Sequence, residues 1–423
     1  MKKAFIIILP VMLLAFVFAV FFFPFAGFNS GPPTVPTNPP DVQTTPPDVQ
    51  TTPPDVPTNP PDVRTAPPTV QTIPPAAQPA APLSSYPSPP AQGETEPVRY
   101  IFGRLSPAQQ TVYERFRAAL QGMDSGILIS RAEARAIAPF ELIDLYYAVL
   151  CDYPEIFWSD NYIYTGAVTR AGESGLSVTF TYTMSAAERD AAEQKIAAYT
   201  TACLNGLSAD ASDFDKILYV YEYIIRNTAY DASAQYNQDI VSVFLSGRSV
   251  CMGYTKATQY LLQRLGFTCA TISGAAAGIG LHAWNLVEAE GDYYYLDTTW
   301  GDPDLARNSY ASYDYFLVTG QDLAATHHAN VVFSLPECTA TRLNYFQVMN
   351  RQFDRYDRIV TIRAMREDLA AAGLAAVRFS STAEYERAID DLFDNQSIFQ
   401  VTNNSSISYF LTDELRIITV LER

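Results

Sequence analysis

Gly-Arg-Ser-Val-Cys-Met-Gly-Tyr at residues 247–254 is the stretch around which the rest of the 423-residue chain is organised. Two further stretches follow it: His-Ala-Trp-Asn at 282–285 and Leu-Asp-Thr-Thr-Trp-Gly-Asp-Pro at 296–303. A cysteine, a histidine and an aspartate in that order, each at the edge of a different predicted element, are the groups needed to activate a thiol and hold its base. Cys251, His282 and Asp297 are therefore the candidate catalytic residues.

Ser249 is a favourable N-cap, and from Val250 to Leu265 the apolar positions Tyr254, Ala257, Leu261, Leu262 and Leu265 share one helical stripe before Gly266. Cys251 then sits in the first turn, where the partial positive charge of the helix end favours thiolate over thiol. Leu281–Val287 and Tyr293–Trp300 are rich in β-branched and aromatic residues and flank Glu-Gly-Asp, which predicts a hairpin. A connection spanning Glu288 to Gly291 would pair Val287 with Asp292 and put His282 opposite Asp297, about 5 Å apart at Cβ. A two-residue Gly291-Asp292 turn would instead offset the pair by roughly 13 Å along the strand. The longer loop is the expected one, because with it Asp297 fixes the imidazole tautomer and leaves the other nitrogen for the thiol. Without context a cysteine is most often a small buried hydrophobe and a histidine a satisfied polar residue; helix position, hairpin placement and spacing argue otherwise here. Trp284, Trp300 and the Tyr293–Tyr295 run read as core and groove wall, with the two tryptophans shielding the imidazole.

Gly-x-x-Val-Cys-x-Gly-Tyr, a helix ending in Leu-Gly-Phe, His-Ala-Trp-Asn and Tyr-Tyr-x-Leu-Asp-x-Thr-Trp-x-Asp-Pro together resemble the core of the bacterial transglutaminase-like superfamily, relatives of papain-like thiol enzymes. The resemblance covers roughly residues 210 to 320. It implies an α+β fold with a transglutaminase-like (papain-like) core, in which a helix starts at the active-site cysteine and an antiparallel sheet is flanked by smaller α+β regions. It also implies a catalytic Cys, His and Asp at Cys251, His282 and Asp297. Family members include transglutaminases, peptidases and deamidating enzymes, so the reaction type is better defined than the substrate. Cross-linking relatives and papain-like proteases carry a Gln shortly before the cysteine, where this chain has Ser249 and Val250, so no side-chain oxyanion donor is identified.

The hydrophobic share of 48% and aromatic share of 13% are ample for a large core. A formal net charge of −17 argues against a nucleic acid or a polyanionic wall polymer as principal partner. The five cysteines are an odd number, and if Cys251 is a free thiol the other four are Cys151, Cys203, Cys269 and Cys338, with Cys269 in an apolar run that suits a buried thiol. No metal-ligand spacing is present, the adjacent His327-His328 reads as part of a polar loop, and no cofactor or metal is expected.

Five regions are expected. In residues 1–30, Lys2-Lys3 precede an uncharged apolar run from Ala4 to Phe28, long enough at about 1.5 Å per residue to cross a bilayer. Its charge pattern puts the remainder of the chain outside the cytoplasm as a single-pass anchored protein, or as a secreted one if the segment is cleaved. Residues 31–97 hold seven proline-led heptapeptides between 32 and 80, from PPTVPTN to PPAAQPA, and read as a disordered polyproline-type spacer able to reach on the order of 200 Å. Residues 98–210 carry helices from Ser106 to about Leu120, from Ser130 to Leu150 and from Ser185 to about Asn205, with a hairpin of Tyr162–Thr169 and Leu176–Thr183. Residues 211–340 are the catalytic core, with an amphipathic helix at Ser212–Thr228 backing the active-site helix and Gly274–Gly280 as a mobile lid or a plain linker. Residues 341–423 form a small α+β module with a strand near Ala375–Phe379, a helix at Thr382–Phe393 and strands at Ile407–Leu411 and Leu415–Leu421.

The functional expectation is a membrane-tethered extracytoplasmic thiol enzyme acting on amide bonds of peptides or proteins through a thioester, with hydrolysis ahead of cross-linking and cell-wall stem peptides as a substrate class. The competing expectation is a catalytically inactive cell-surface or cell-wall binding protein that retains the fold.

Overall fold

The computed structural model describes residues 5–8, 97–170, 173–208, 210–303, 310–402, 404 and 406–421, all of which fall in one compact unit. Of the apolar run 4–28 only Phe5–Ile8 is described, as a short strand β1; the rest of the expected membrane segment and the proline-led repeats lie outside the described residues. Among the described residues no helix is long and apolar enough to cross a membrane.

The first third of the described chain runs α1 (Pro107–Gly122), β2 (Gly126–Ser130), α2 (Arg131–Ala136), α3 (Leu142–Asp152), β3 (Ser159–Arg170), β4 (Glu173–Tyr182) and α4 (Ala186–Leu204). Ser106 caps α1 through a capping box with Gln109 and a proline at the first helical position, so the sequence sets that boundary locally. The single helix expected over Ser130–Leu150 is instead two, because Pro139 lacks the amide hydrogen a continuing helix needs. Strands β2, β4 and β3 form an antiparallel sheet in that order.

The middle of the chain runs α5 (Asp213–Asn227), β5 (Ala229–Tyr230), β6 (Arg248–Ser249), α6 (Cys251–Arg264), β7 (Cys269–Ala276), β8 (Gly280–Ala289), β9 (Asp292–Leu296), α7 (Gly320–Leu323) and β10 (His327–Ala329). Strands pair in the order β10-β7-β8-β9, all antiparallel. Gly274–Gly280 is neither lid nor linker: it forms the end of β7 and a tight turn into β8.

Helix α6 is the centre of this part, and its sequence shows how. The helix is buried all round from Gly253 to Gln263, not on one stripe, so its polar side chains must find partners inside the protein. Gln259 donates to the Cys151 carbonyl at 2.7 Å and accepts from Thr271 at 2.6 Å, and Gln263 donates to the Cys269 carbonyl at 3.1 Å. Lys256 pairs with Asp239 at 2.6 Å, both side chains almost fully enclosed. These contacts fix α6 against α3, β7 and the 239 region.

The last part runs α8 (Tyr345–Val348), β11 (Gln352–Phe353), α9 (Arg358–Ala372), β12 (Leu374–Phe379), α10 (Thr382–Ile389), β13 (Ser406–Thr412) and β14 (Ile417–Leu421), in a sheet ordered β1-β13-β14-β12-β11. Alternate side chains of β12 and β14 serve two cores. Leu374, Ala376, Ile417 and Leu421 join the large apolar cluster that extends from Tyr100 to Phe346, whereas Ala375, Val377, Phe379, Ile418 and Val420 pack with Ile362, Met365 and Leu392 of the module itself.

Candidate active site

Cys251 is the first residue of α6 and is half-buried. The expected capping by Ser249 does not occur. Val250 is the N-cap without a side-chain bond, and the Ser249 hydroxyl turns back to donate to the Asn237 carbonyl at 2.8 Å. The helix start is thus held from the 237–249 segment, and the Tyr230 side chain lies beside the Cys251 backbone.

The hairpin register differs from the expected one. Its loop is the two residues Glu290-Gly291, both with positive φ (51° and 82°), a pattern for which glycine is suited, and it pairs Ala289 with Asp292 and Asn285 with Leu296. Continued, that ladder would set Asp297 opposite Trp284, two residues from His282. Asp297 reaches His282 because the chain leaves β9 after Leu296 and coils: Asp297 Oδ1 accepts the backbone N–H groups of Thr299 (2.9 Å) and Trp300 (3.0 Å). The coil is fastened to α6 by Thr258 and Thr298 hydroxyls 3.0 Å apart, and by the Tyr254 hydroxyl 2.8 Å from Asp302 Oδ2. Asn285 of the His-Ala-Trp-Asn stretch donates to the Thr255 carbonyl of α6 at 3.0 Å, which fixes β8 on the same helix.

His282 Nε2 lies 2.6 Å from Asp297 Oδ2, and the Cys251 side chain is close enough to the ring to act on its charge, with Nδ1 the nitrogen not taken by Asp297. All three sequence-derived residues therefore meet in one network. Burial disfavours the imidazolium, but the Asp297 charge, its hydrogen bond and Cys251 outweigh burial and push His282 up to about 10. Burial would raise the Asp297 carboxyl, yet the His282 charge and bonds from His282 and His327 hold it well below the usual carboxylate range. The Trp284 and Trp300 rings stand 6.1 and 5.8 Å from the His282 ring, a wall against water.

One residue of the network was read as loop in the sequence. His327, on the edge strand β10, brings its Nε2 to 3.0 Å from the same Asp297 Oδ2. Apolar spacing could not reveal it, since the pairing of His327 with Ala276 is a long-range event. His282, Asp297 and His327 each offer one ligand atom, all within 4.8 Å of one another, which is a donor set a divalent metal could use. The separations of 2.6 and 3.0 Å, however, are hydrogen-bond lengths, shorter than the roughly 3.4 Å between ligands of a tetrahedral zinc shell. The set fits a hydrogen-bonded network.

Residues 199–298, which include Cys251, His282 and Asp297, match the family model of the transglutaminase-like superfamily. This segment is a transglutaminase-like domain. The chain is similar to the kyphoscoliosis peptidase of Mus musculus, 23% identical over 137 residues that cover 28% of this chain and 21% of that protein. It is also similar to the Homo sapiens protein of the same name, 24% identical over 106 residues, 21% of this chain and 16% of that one. The chain thus spans about a fifth of the length of these curated relatives. Solved structures that align with it include a TGase (16% identity, 32% of this chain and 43% of that one, TM-score 0.24) and a candidate cysteine protease from Cytophaga hutchinsonii (11% identity, 33% and 62%, TM-score 0.23). The superfamily that residues 199–298 match includes cysteine peptidases and transglutaminases.

Proposed function

We propose that the transglutaminase-like domain catalyses cleavage of amide bonds in peptides or proteins through Cys251, His282 and Asp297. The observation that carries this reading is the 2.6 Å bond from His282 Nε2 to the enclosed Asp297 carboxylate, with the Cys251 thiol near enough to the same ring to raise its basicity. Sγ of the thiolate attacks the carbonyl carbon, and the resulting oxyanion is met by N–H groups at the start of α6, beside the Tyr230 side chain. The C–N bond breaks as His282 Nδ1 gives its proton to the departing amine, leaving a thioester. Water then gives a proton to His282, adds to the thioester carbonyl and releases the acid, and Cys251 leaves as thiolate beside the imidazolium.

A cleft of about 360 Å³ lined by Asp231, Tyr236, Leu245 and Arg248 lies beside the β5–β6 pair, and Cys251, His282 and Asp297 are not among its lining residues. In this proposal the apolar run 4–28 tethers the protein to the membrane, the proline-led repeats carry the domain outward, and cell-wall stem peptides are the substrate class. The competing reading, a surface-binding protein without catalysis, is separated by incubating intact and Cys251→Ala protein with a surface-peptide library. Mass spectrometry should find hydrolysed products from the intact protein alone. Identical product sets from both would defeat the catalytic reading.

A further inference from the structure

We infer that His327 is a positioning residue of the proposed catalytic network, holding the Asp297 carboxylate in line for His282. The inference rests on the catalytic reading above and adds a fourth member to it.

Asp297 is fully enclosed, and its carboxylate receives four N–H groups: Thr299 and Trp300 backbone amides at Oδ1, and the Nε2 atoms of His282 and His327 at Oδ2. A buried carboxylate rotates toward whichever donors hold it, so a second fixed donor on Oδ2 decides where that oxygen points. His327 is itself fixed. Its Nδ1 lies 2.8 Å from Thr326 Oγ1, which lies 2.9 Å from the Tyr315 hydroxyl. The ring is thus held at both nitrogens, by the Thr326 hydroxyl at Nδ1 and by the Asp297 carboxylate, which accepts from Nε2. The rings of Trp300, Trp284 and Tyr315 enclose the His327 imidazole with centroids 4.6, 5.0 and 5.0 Å away. The titratable groups facing it are Asp297, His282 and Tyr315.

Two substitutions separate positioning from packing. His327→Phe keeps a ring in the aromatic enclosure and removes the donor, and His327→Gln keeps an N–H near the Nε2 position. Iodoacetate is the probe, because its negative charge makes alkylation of Cys251 fall when the His282 imidazolium loses its proton. In the full chain the rate should descend near pH 10. In His327→Phe the descent should move down by about one pH unit, and His327→Gln should restore it. A folded His327→Phe protein with the parent profile, or a descent moved upward, overturns the inference while the triad stands. A parent profile with no descent and no difference from His282→Ala overturns the triad and this inference together. If His327→Phe does not fold, a His327→Gln profile displaced as far as that of Asp297→Asn also overturns it, because a retained donor should not behave as a lost carboxylate.

Discussion

His282 and Asp297 meet at 2.6 Å although the β8–β9 ladder, which ends at Leu296, is not aligned to bring them together. The ladder aims Asp297 at Trp284, and a coil anchored by two backbone N–H groups on the same carboxylate brings it back to the histidine. The contact therefore depends on the geometry of residues 297–301 and on α6 beneath them more than on the hairpin. The predictions below test that dependence.

Gly301 has no room for a side chain. A Cβ there would lie 2.0 Å from the Tyr221 hydroxyl oxygen and 2.8 Å from Ile225 Cδ1. Gly301→Ala should displace the coil, lower the alkylation rate of Cys251 at pH 7 by at least about tenfold, and destabilise the protein by roughly 1–3 kcal/mol. Gly103→Ala, which meets nothing within 4 Å, is the matched control and should do neither. Rate constants and thermal melts of the two variants decide the matter.

Gly253, in the quoted 247–254 stretch, is constrained in the same way. An added Cβ would stand 1.9 Å from Ser249 Oγ and 2.9 Å from the Asn237 carbonyl oxygen, the pair that fixes the helix start. Gly253→Ala should shift the first turn of α6 and slow Cys251 alkylation, whereas Ser249→Ala together with Gly253→Ala should recover part of the loss. A double variant no better than the single one would contradict the steric account.

Asn285 joins β8 to α6 through the Thr255 carbonyl and is completely enclosed. Asn285→Leu leaves that acceptor without its donor and should cost about 1–3 kcal/mol, read as a lower melting temperature or denaturant midpoint. An unchanged midpoint would mean that the strand is held to the helix by packing alone.

Protonation of His282 links the network to folding. Its folded-state value is pushed up to about 10 from an ordinary 6.5, so the stabilisation is complete below about 6.5 and is lost as the pH rises through about 10. Asp297, held below its ordinary value, contributes the same interaction from the acid side, present above about 3.8 and lost as the pH falls below that. Stability measured by denaturant titration should therefore fall between pH 7 and 10, by up to a few kcal/mol. His282→Ala should flatten most of that fall; an equal fall in the variant would show that other groups cause it.

Much of this architecture is legible in the sequence because it is local. Capping boxes at Ser106 and Ser185 mark helix starts, an amphipathic stripe marks α5, alternation marks β3 and β4, and short apolar runs mark β12 and β14. Cys251, His282 and Asp297 stand out by type, order and the motifs around them. What eluded the sequence depends on tertiary choices. Ser249 has two places to send its hydroxyl, and the Asn237 carbonyl wins over the helix end. Hairpin register turns on whether Glu290 adopts positive φ, which a glutamate does not advertise. His327 joins the site only because β10 adds to the edge of β7.

The central claim is that His282, held by Asp297, activates Cys251. Burial pushes the thiols of Cys151, Cys203 and Cys338 up to about 11, 12 and 12, and raises Cys269 further, so these four are poor nucleophiles near neutrality. Iodoacetamide at pH 6.5, followed by peptide mapping of the full chain and of His282→Ala, tests the claim directly. The account predicts fast labelling at Cys251 alone, falling at least about tenfold in the variant. Labelling of Cys251 that is no faster than at the other four, or that is unchanged by His282→Ala, would contradict it.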